Sequence, residues 1–101
     1  MKNNIKNIKN NKYSIIDFWA KWCSPCLLMK KIINKIKIYY KNKIIIYKIN
    51  IDKYKKLMNE YNIQSIPTLV FLKYGKEIDR NIGIISKDDL INKCNILFKL
   101  N

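Results

Sequence analysis

The 101-residue chain is 49% hydrophobic, enough apolar side chain for one packed domain and too short a chain for two. A net charge of +14, from 21 Lys+Arg against 7 Asp+Glu, raises a polyanion partner, but the excess is lysine with a single arginine, Arg80, and comes with abundant isoleucine, asparagine and tyrosine. AT-rich codons explain that combination, and nucleic-acid readers lean on the bidentate contacts of arginine, so no specific nucleic acid is expected as a partner and weak, salt-sensitive anion binding is a by-product.

Other classes fall away on similar grounds. With no histidine and only three cysteines, the chain lacks the ligands for a closed zinc site, and no metal is expected. No uncharged apolar run is long enough to span a membrane, and the charged start is not followed by the apolar stretch of a secretory signal. These features predict a reducing compartment, the cytoplasm or, for an organelle-encoded chain, the plastid stroma, where three cysteines do not imply a structural disulfide.

Residues 1–12 are a low-complexity run of asparagine and lysine with only Ile5 and Ile8 to bury, predicting a short or frayed N-terminal segment before a domain over 13–101. Tyr13 to Trp19 reads as a strand buried on both faces, with one misfit, Asp17. From Cys23 to about Tyr40, the residues Cys26, Met29, Ile33, Ile36 and Tyr40 recur at helical spacing. Lys43 to Asn50 is a second apolar strand, broken by Lys48, so strand, helix and strand make a right-handed βαβ unit with parallel strands. Asp52 is placed to cap a short helix over about Lys53 to Tyr61. After Ile66-Pro67-Thr68 come a strand from Leu69 to Lys73, a turn at Tyr74-Gly75 and a strand from about Glu77 to Ile82, an antiparallel hairpin. Gly83 supplies a bulge or a positive φ. Ser86, with Asp89 three residues on, opens a last helix whose buried stripe is Leu90, Ile91, Cys94, Leu97 and Phe98. Cys94 there reads as an inert, buried apolar residue, with a regulatory thiol as the lesser alternative.

The chemistry lies in Trp22-Cys23-Ser24-Pro25-Cys26. Two thiols separated by two residues on the first turn of a helix can close a small disulfide and reopen it without moving the rest of the chain. Unpaired N–H groups and the positive end of the helix dipole stabilise a thiolate there, so Cys23 is the candidate nucleophile. Pro25 suits the first turn, where its missing N–H has no intrahelical partner. Cys26, one turn deeper, is poised to attack a mixed disulfide formed at Cys23.

The run Asp17-Phe18-Trp19-Ala20-Lys21-Trp22-Cys23-Ser24-Pro25-Cys26, followed at the right distance by Asn50-Ile51-Asp52, Ile66-Pro67-Thr68, Gly75, Gly83 and Ser86-Lys87, resembles the thioredoxin family over about residues 14–100. The resemblance implies an α/β thioredoxin fold, a central mixed sheet with helices on both faces, here with a shortened N-terminal region in which the family's first strand and helix are reduced or missing. It implies an exposed attacking thiolate at Cys23 and a buried resolving thiol at Cys26. Asp17 becomes a buried carboxylate beneath the pair, raised in pKa and acting as general base, with Lys48 beside it. Trp22, Ser24, Pro25, Ile66, Pro67 and Gly83 become the substrate-binding surface, Pro67 in the cis form and Ile66 pairing with an extended substrate through its backbone. Trp19 is assigned mainly to packing. Ser24 stands where the family usually has glycine, and Lys31 where it commonly has a proline that kinks the helix.

The expected activity is protein-disulfide reduction by a monomer that needs no bound cofactor. Its partners are disulfide-containing proteins and a thioredoxin reductase, linked to NADPH or ferredoxin. A thiol oxidase or isomerase on the same fold is the near alternative, and a basic module binding nucleic acid or acidic proteins the distant one.

Overall fold

Three apolar strands cannot each hide two faces unless one of them lies inside the sheet, and β1 (Tyr13–Trp19) takes that place. In the computed structural model, which describes residues 5–100, the sheet order is β2-β1-β3-β4, with β2 at Ile45–Asn50, β3 at Thr68–Lys73 and β4 at Lys76–Ile82. β1 runs parallel to β2 and antiparallel to β3, and β3 pairs antiparallel with β4, giving the expected mixed sheet. Alternation along β1 feeds two cores. Ile15 packs with Met29, Ile33 and Ile36 of α1 (Ser24–Tyr40) and with Leu90, Cys94 and Phe98 of α3 (Lys87–Phe98). Ile16 and Phe18 point the other way, where Leu57 and Met58 of α2 (Lys55–Glu60) close the second face. Helices therefore cover both faces.

Four local expectations are adjusted by the structure. α1 begins at Ser24, and Cys23 is its N-cap. α2 is shorter than the span from Lys53 to Tyr61, and its N-cap is Tyr54, with no side-chain cap. Asp52 does not cap it, because the side-chain carbonyl of Asn50 accepts from the Asp52 N–H and folds residues 50–53 into a turn first. The register shift of the hairpin falls between Phe71 and Leu72, while Gly83 supplies a positive φ of 93°. Ser86 caps α3 as predicted, its hydroxyl accepting from the Asp89 N–H at 3.1 Å.

Before β1 the described residues form one 3-10 turn, Ile8–Asn10, with Ile8 buried in the second core. Residues 1–4 of the predicted N-terminal segment, and residue 101, lie outside the described residues. The turn docks on the β3–β4 hairpin, where the Tyr74 N–H donates to the carbonyls of Asn11 and Lys12. Gly75, at φ 78°, lies so close that an added Cβ would sit 2.9 Å from Cγ and 3.1 Å from Cα of Lys9.

Gly75→Ala is therefore expected to lower stability by about 1–2 kcal/mol, since it combines a left-handed backbone with a contact to main chain that cannot swing away. Gly83→Ala, where nothing lies within 4 Å, should cost less. Urea unfolding of the two variants checks the order.

Candidate active site

The ends of β1 and β2, the start of α1 and the loop before β3 meet at one edge of the sheet. The parallel crossover brings this about: β1 ends at Trp19, the chain turns through Ala20 to Cys23, and α1 runs back over the sheet. The Cys23 N–H donates to the Ala20 carbonyl at 3.2 Å, and the Ile51 N–H to the Trp19 carbonyl at 2.9 Å, tying the strand ends to the helix start.

Cys23 and Cys26 are joined as a disulfide across a Cα–Cα distance of 5.3 Å. Both are buried, at 5% and 4% exposure, so the expected contrast between an exposed and a buried cysteine is not present in the disulfide form. Position separates them instead. Cys23 is the N-cap, its sulfur accepting from the Cys26 N–H at 3.2 Å, with no acidic residue in the first turn of a 17-residue helix. On reduction, that N–H and the helix dipole favour negative charge on the Cys23 sulfur. Ser24 and Pro25 complete the turn, both exposed, with Pro25 in the first turn as expected.

Beside Cys26 lies a cavity of about 480 Å³ lined by Asp17, Trp19, Lys21, Cys26, Leu27, Lys30 and Lys48. Asp17 is 4% exposed, and its Oδ1 has no hydrogen-bond partner; the buried Trp19 indole N–H also lacks one, although the ring itself packs against the core as expected. Loss of hydration pushes the Asp17 carboxyl up to about 6, against a smaller downward pull from Lys48. Lys48 is the register partner of Asp17 on β2, and burial lowers its own pKa. Its ammonium donates to Asn34 Oδ1 on α1 at 2.9 Å.

Of the remaining predicted residues, Ile66 packs against the core cluster that includes Cys23 and Cys26. The Ile66–Pro67 peptide is cis and Pro67 is buried; its carbonyl accepts from the Gly83 N–H at 2.8 Å, which brings Gly83 beside the loop. Trp22 is 68% exposed and donates through its indole N–H to Asp52 Oδ2 at 2.9 Å. Asp52, read from sequence as a cap, is thus a residue that fixes Trp22, and Asn34 was not singled out at all. The signal for Asn34 was its spacing: Lys30, Asn34 and Lys37 fall on one stripe of α1 that faces Lys48. Cys94 stays apart from the site, buried, with its thiol pushed up to about 12 by burial.

A sequence model described as Thioredoxin matches residues 2–95. This chain belongs to the thioredoxin family. It is similar to a thioredoxin of Chlorobaculum thiosulfatiphilum, with 35% identity over 88 residues, 87% of this chain and 82% of that protein. It is also similar to the chloroplastic M-type thioredoxin of Spinacia oleracea, with 41% identity over 76 residues, 75% of this chain and 42% of that protein. In fold it matches the structure of a mutant thioredoxin from Halobacterium salinarum NRC-1, with a TM-score of 0.80, 23% identity, and coverage of 89% of this chain and 78% of the other. Thioredoxins are protein-disulfide oxidoreductases, and this member carries its CxxC pair at the bonding distance that thiol-disulfide exchange requires.

Burying Asp17 has a pH signature. The carboxyl ionises at 3.8 in the unfolded chain and near 6 in the folded one, so the folded state binds more protons in between and stability falls as pH rises through that window. Above it the ionised group costs about 3 kcal/mol. The stability of Asp17→Asn relative to the parent should therefore rise by about that amount between about pH 3 and about pH 7, measured by urea unfolding of the oxidised proteins. A second expectation concerns Cys94, which should resist iodoacetamide in the reduced native protein while Cys23 is alkylated, as peptide mass mapping would show.

Proposed function

We propose that this thioredoxin-family protein is a general reductant of protein disulfides, and the observation that carries the reading is the Cys23 sulfur at the N-cap of α1, receiving a backbone N–H and bonded to Cys26, which shares a cavity with a buried, unpartnered Asp17. The Cys23 thiolate attacks one sulfur of a substrate disulfide. A bond forms between Cys23 and that sulfur, and the other substrate sulfur leaves as a thiolate. Cys26 then gives its proton to the ionised Asp17 carboxylate and attacks Cys23, so that the intramolecular disulfide forms and the first substrate sulfur leaves. Two electrons have passed from the dithiol to the substrate. Lys48 biases Asp17 toward its charged form, and the cavity has room for water to return the proton to solvent.

Substrate is held mainly by main chain. Ile66 makes no backbone hydrogen bond among the described residues, leaving a donor and an acceptor for an extended segment beside Pro67. Trp22, Ile82 and Ile84 are exposed apolar side chains, and with Ser24, Pro25 and Gly83 they complete the proposed contact surface. Such a surface gives affinity with little side-chain selectivity, which suits many substrates. The chain works as a monomer, with electrons supplied by a thioredoxin reductase in the cytoplasm or the plastid stroma. Reduction is favoured over oxidase action because the thiolate at Cys23 is stabilised by one N–H and a helix dipole, with no histidine in the chain to add a cation.

Cys26→Ser should hold a protein substrate as a mixed disulfide on Cys23 that dithiothreitol releases, whereas Cys23→Ser should hold none. Asp17→Asn should keep the fold and slow release of the mixed disulfide on the order of 10²-fold near neutral pH, read by stopped-flow tryptophan fluorescence. Unchanged release would remove the base role from Asp17.

A further inference from the structure

Opposite charges at paired positions of neighbouring strands ordinarily approach each other. Asp17 and Lys48 are such a pair and line the same cavity, yet they form no ion pair. Acids that do form ion pairs are Glu77, with Arg80, and Asp79, with Lys93, both on β4. Lys48 Nζ lies 2.9 Å from Asn34 Oδ1 instead, and Asp17 Oδ1 is left buried without a donor. We propose that Asn34 is a positioning residue for disulfide exchange: by accepting a hydrogen bond from Lys48 it holds the ammonium away from the Asp17 carboxyl and leaves that carboxyl free to take the proton of Cys26. The inference rests on Asp17 being the proton acceptor.

The surroundings say why a neutral acceptor is needed. Lys48 is faced by Lys30 and Lys37 from α1 and by Asp17 from β1, and both lysines disfavour its charge while Asp17 favours it. Asp17 is faced by Lys48 from β2, by Lys21 from the turn after β1, by Lys30 and Cys26 from α1, and by the apolar Leu69 that pairs with it on β3. Without Asn34, repulsion from α1 and attraction from the carboxyl both drive the ammonium toward Asp17. A direct ion pair there would hold the carboxylate in its charged form and weaken it as a base. An acid in place of Asn34 would retain the ammonium but add a negative charge near Asp17. Asparagine retains it and adds none.

The test is a site-resolved carbon NMR titration of the Asp17 carboxyl in the oxidised protein, for the parent, Asn34→Leu and Asn34→Asp, each with Lys48 intact and with Lys48→Met. Asn34 is exposed on the middle of α1, so both substitutions leave the cores untouched. Asn34→Leu should lower the Asp17 midpoint by about half a pH unit, and Asn34→Asp should raise it. The downward shift should vanish in the Lys48→Met background. The acid limb of mixed-disulfide release should move to lower pH with the Asn34→Leu midpoint. An unmoved midpoint in Asn34→Leu, or an equal shift without Lys48, would overturn the proposal. The titration is read at the carboxyl itself, so it judges the positioning apart from turnover, while the release rate of Asp17→Asn judges the base role alone.

Discussion

A carboxyl group buried in the middle of the central strand is the constraint to which the rest of the site answers. Asp17 sits on β1 between Ile16 and Phe18, with Leu69 and Lys48 as its partners on the flanking strands. Keeping it ionised at neutral pH costs about 3 kcal/mol, a large part of the stability that a domain of this size has to spare. An apolar residue would pack there at no such cost. In the proposed mechanism this cost is offset by what lies beside it: a cavity shared with Cys26, and a lysine that lowers its pKa without forming an ion pair with it.

The same strand sets where the sulfur chemistry happens. Because β1 is central, its end is flanked on one side by β2, whose last residues carry Asp52 to the Trp22 indole, and on the other by the loop with Pro67 that leads into β3. α1 starts immediately beyond, so the helix N-terminus, the exposed Trp22 indole and the loop with Pro67 lie at the same end of the sheet as the disulfide. Polarity follows a gradient through this arrangement. The Cys23 sulfur receives the N–H at the helix start, whereas Cys26 shares a cavity with the Asp17 carboxyl. With both sulfurs equally buried in the disulfide, the proposed roles rest on this electrostatic difference and not on exposure.

Much of this was legible in the sequence, for identifiable reasons. The continuous apolar runs of β1 and β2 around a 17-residue amphipathic helix left little choice but a parallel βαβ unit, and Asp17 and Lys48 stood out because each interrupts an apolar strand. Cys23 and Cys26 were found by spacing, Pro67 and Gly83 through the family resemblance, and the fold joins the first two as a disulfide and the last two by a backbone hydrogen bond. What the sequence hid was competition between local and distant partners. Asp52 looked like a helix cap, but Asn50 takes its N–H and Trp22 takes its carboxylate, so the α2 N-terminus goes without a side-chain cap. Asn34 looked like one more exposed polar residue on a lysine-rich helix, and only the packing of α1 over β2 reveals Lys48 as its partner. The lysine excess says little about function, but one lysine, Lys48, acts on the titration of Asp17 against the larger effect of burial.

The central claim, that the Cys23–Cys26 pair donates electrons to protein disulfides, is tested most directly by its reduction potential, obtained by equilibrating the protein with defined dithiol and disulfide buffers and counting free thiols. A single backbone N–H and a helix dipole, unaided by any histidine, stabilise the reduced form only modestly. The expected potential is therefore below about −220 mV, within the reducing range. A value above about −180 mV, the range of disulfide isomerases and oxidases, would contradict the assignment.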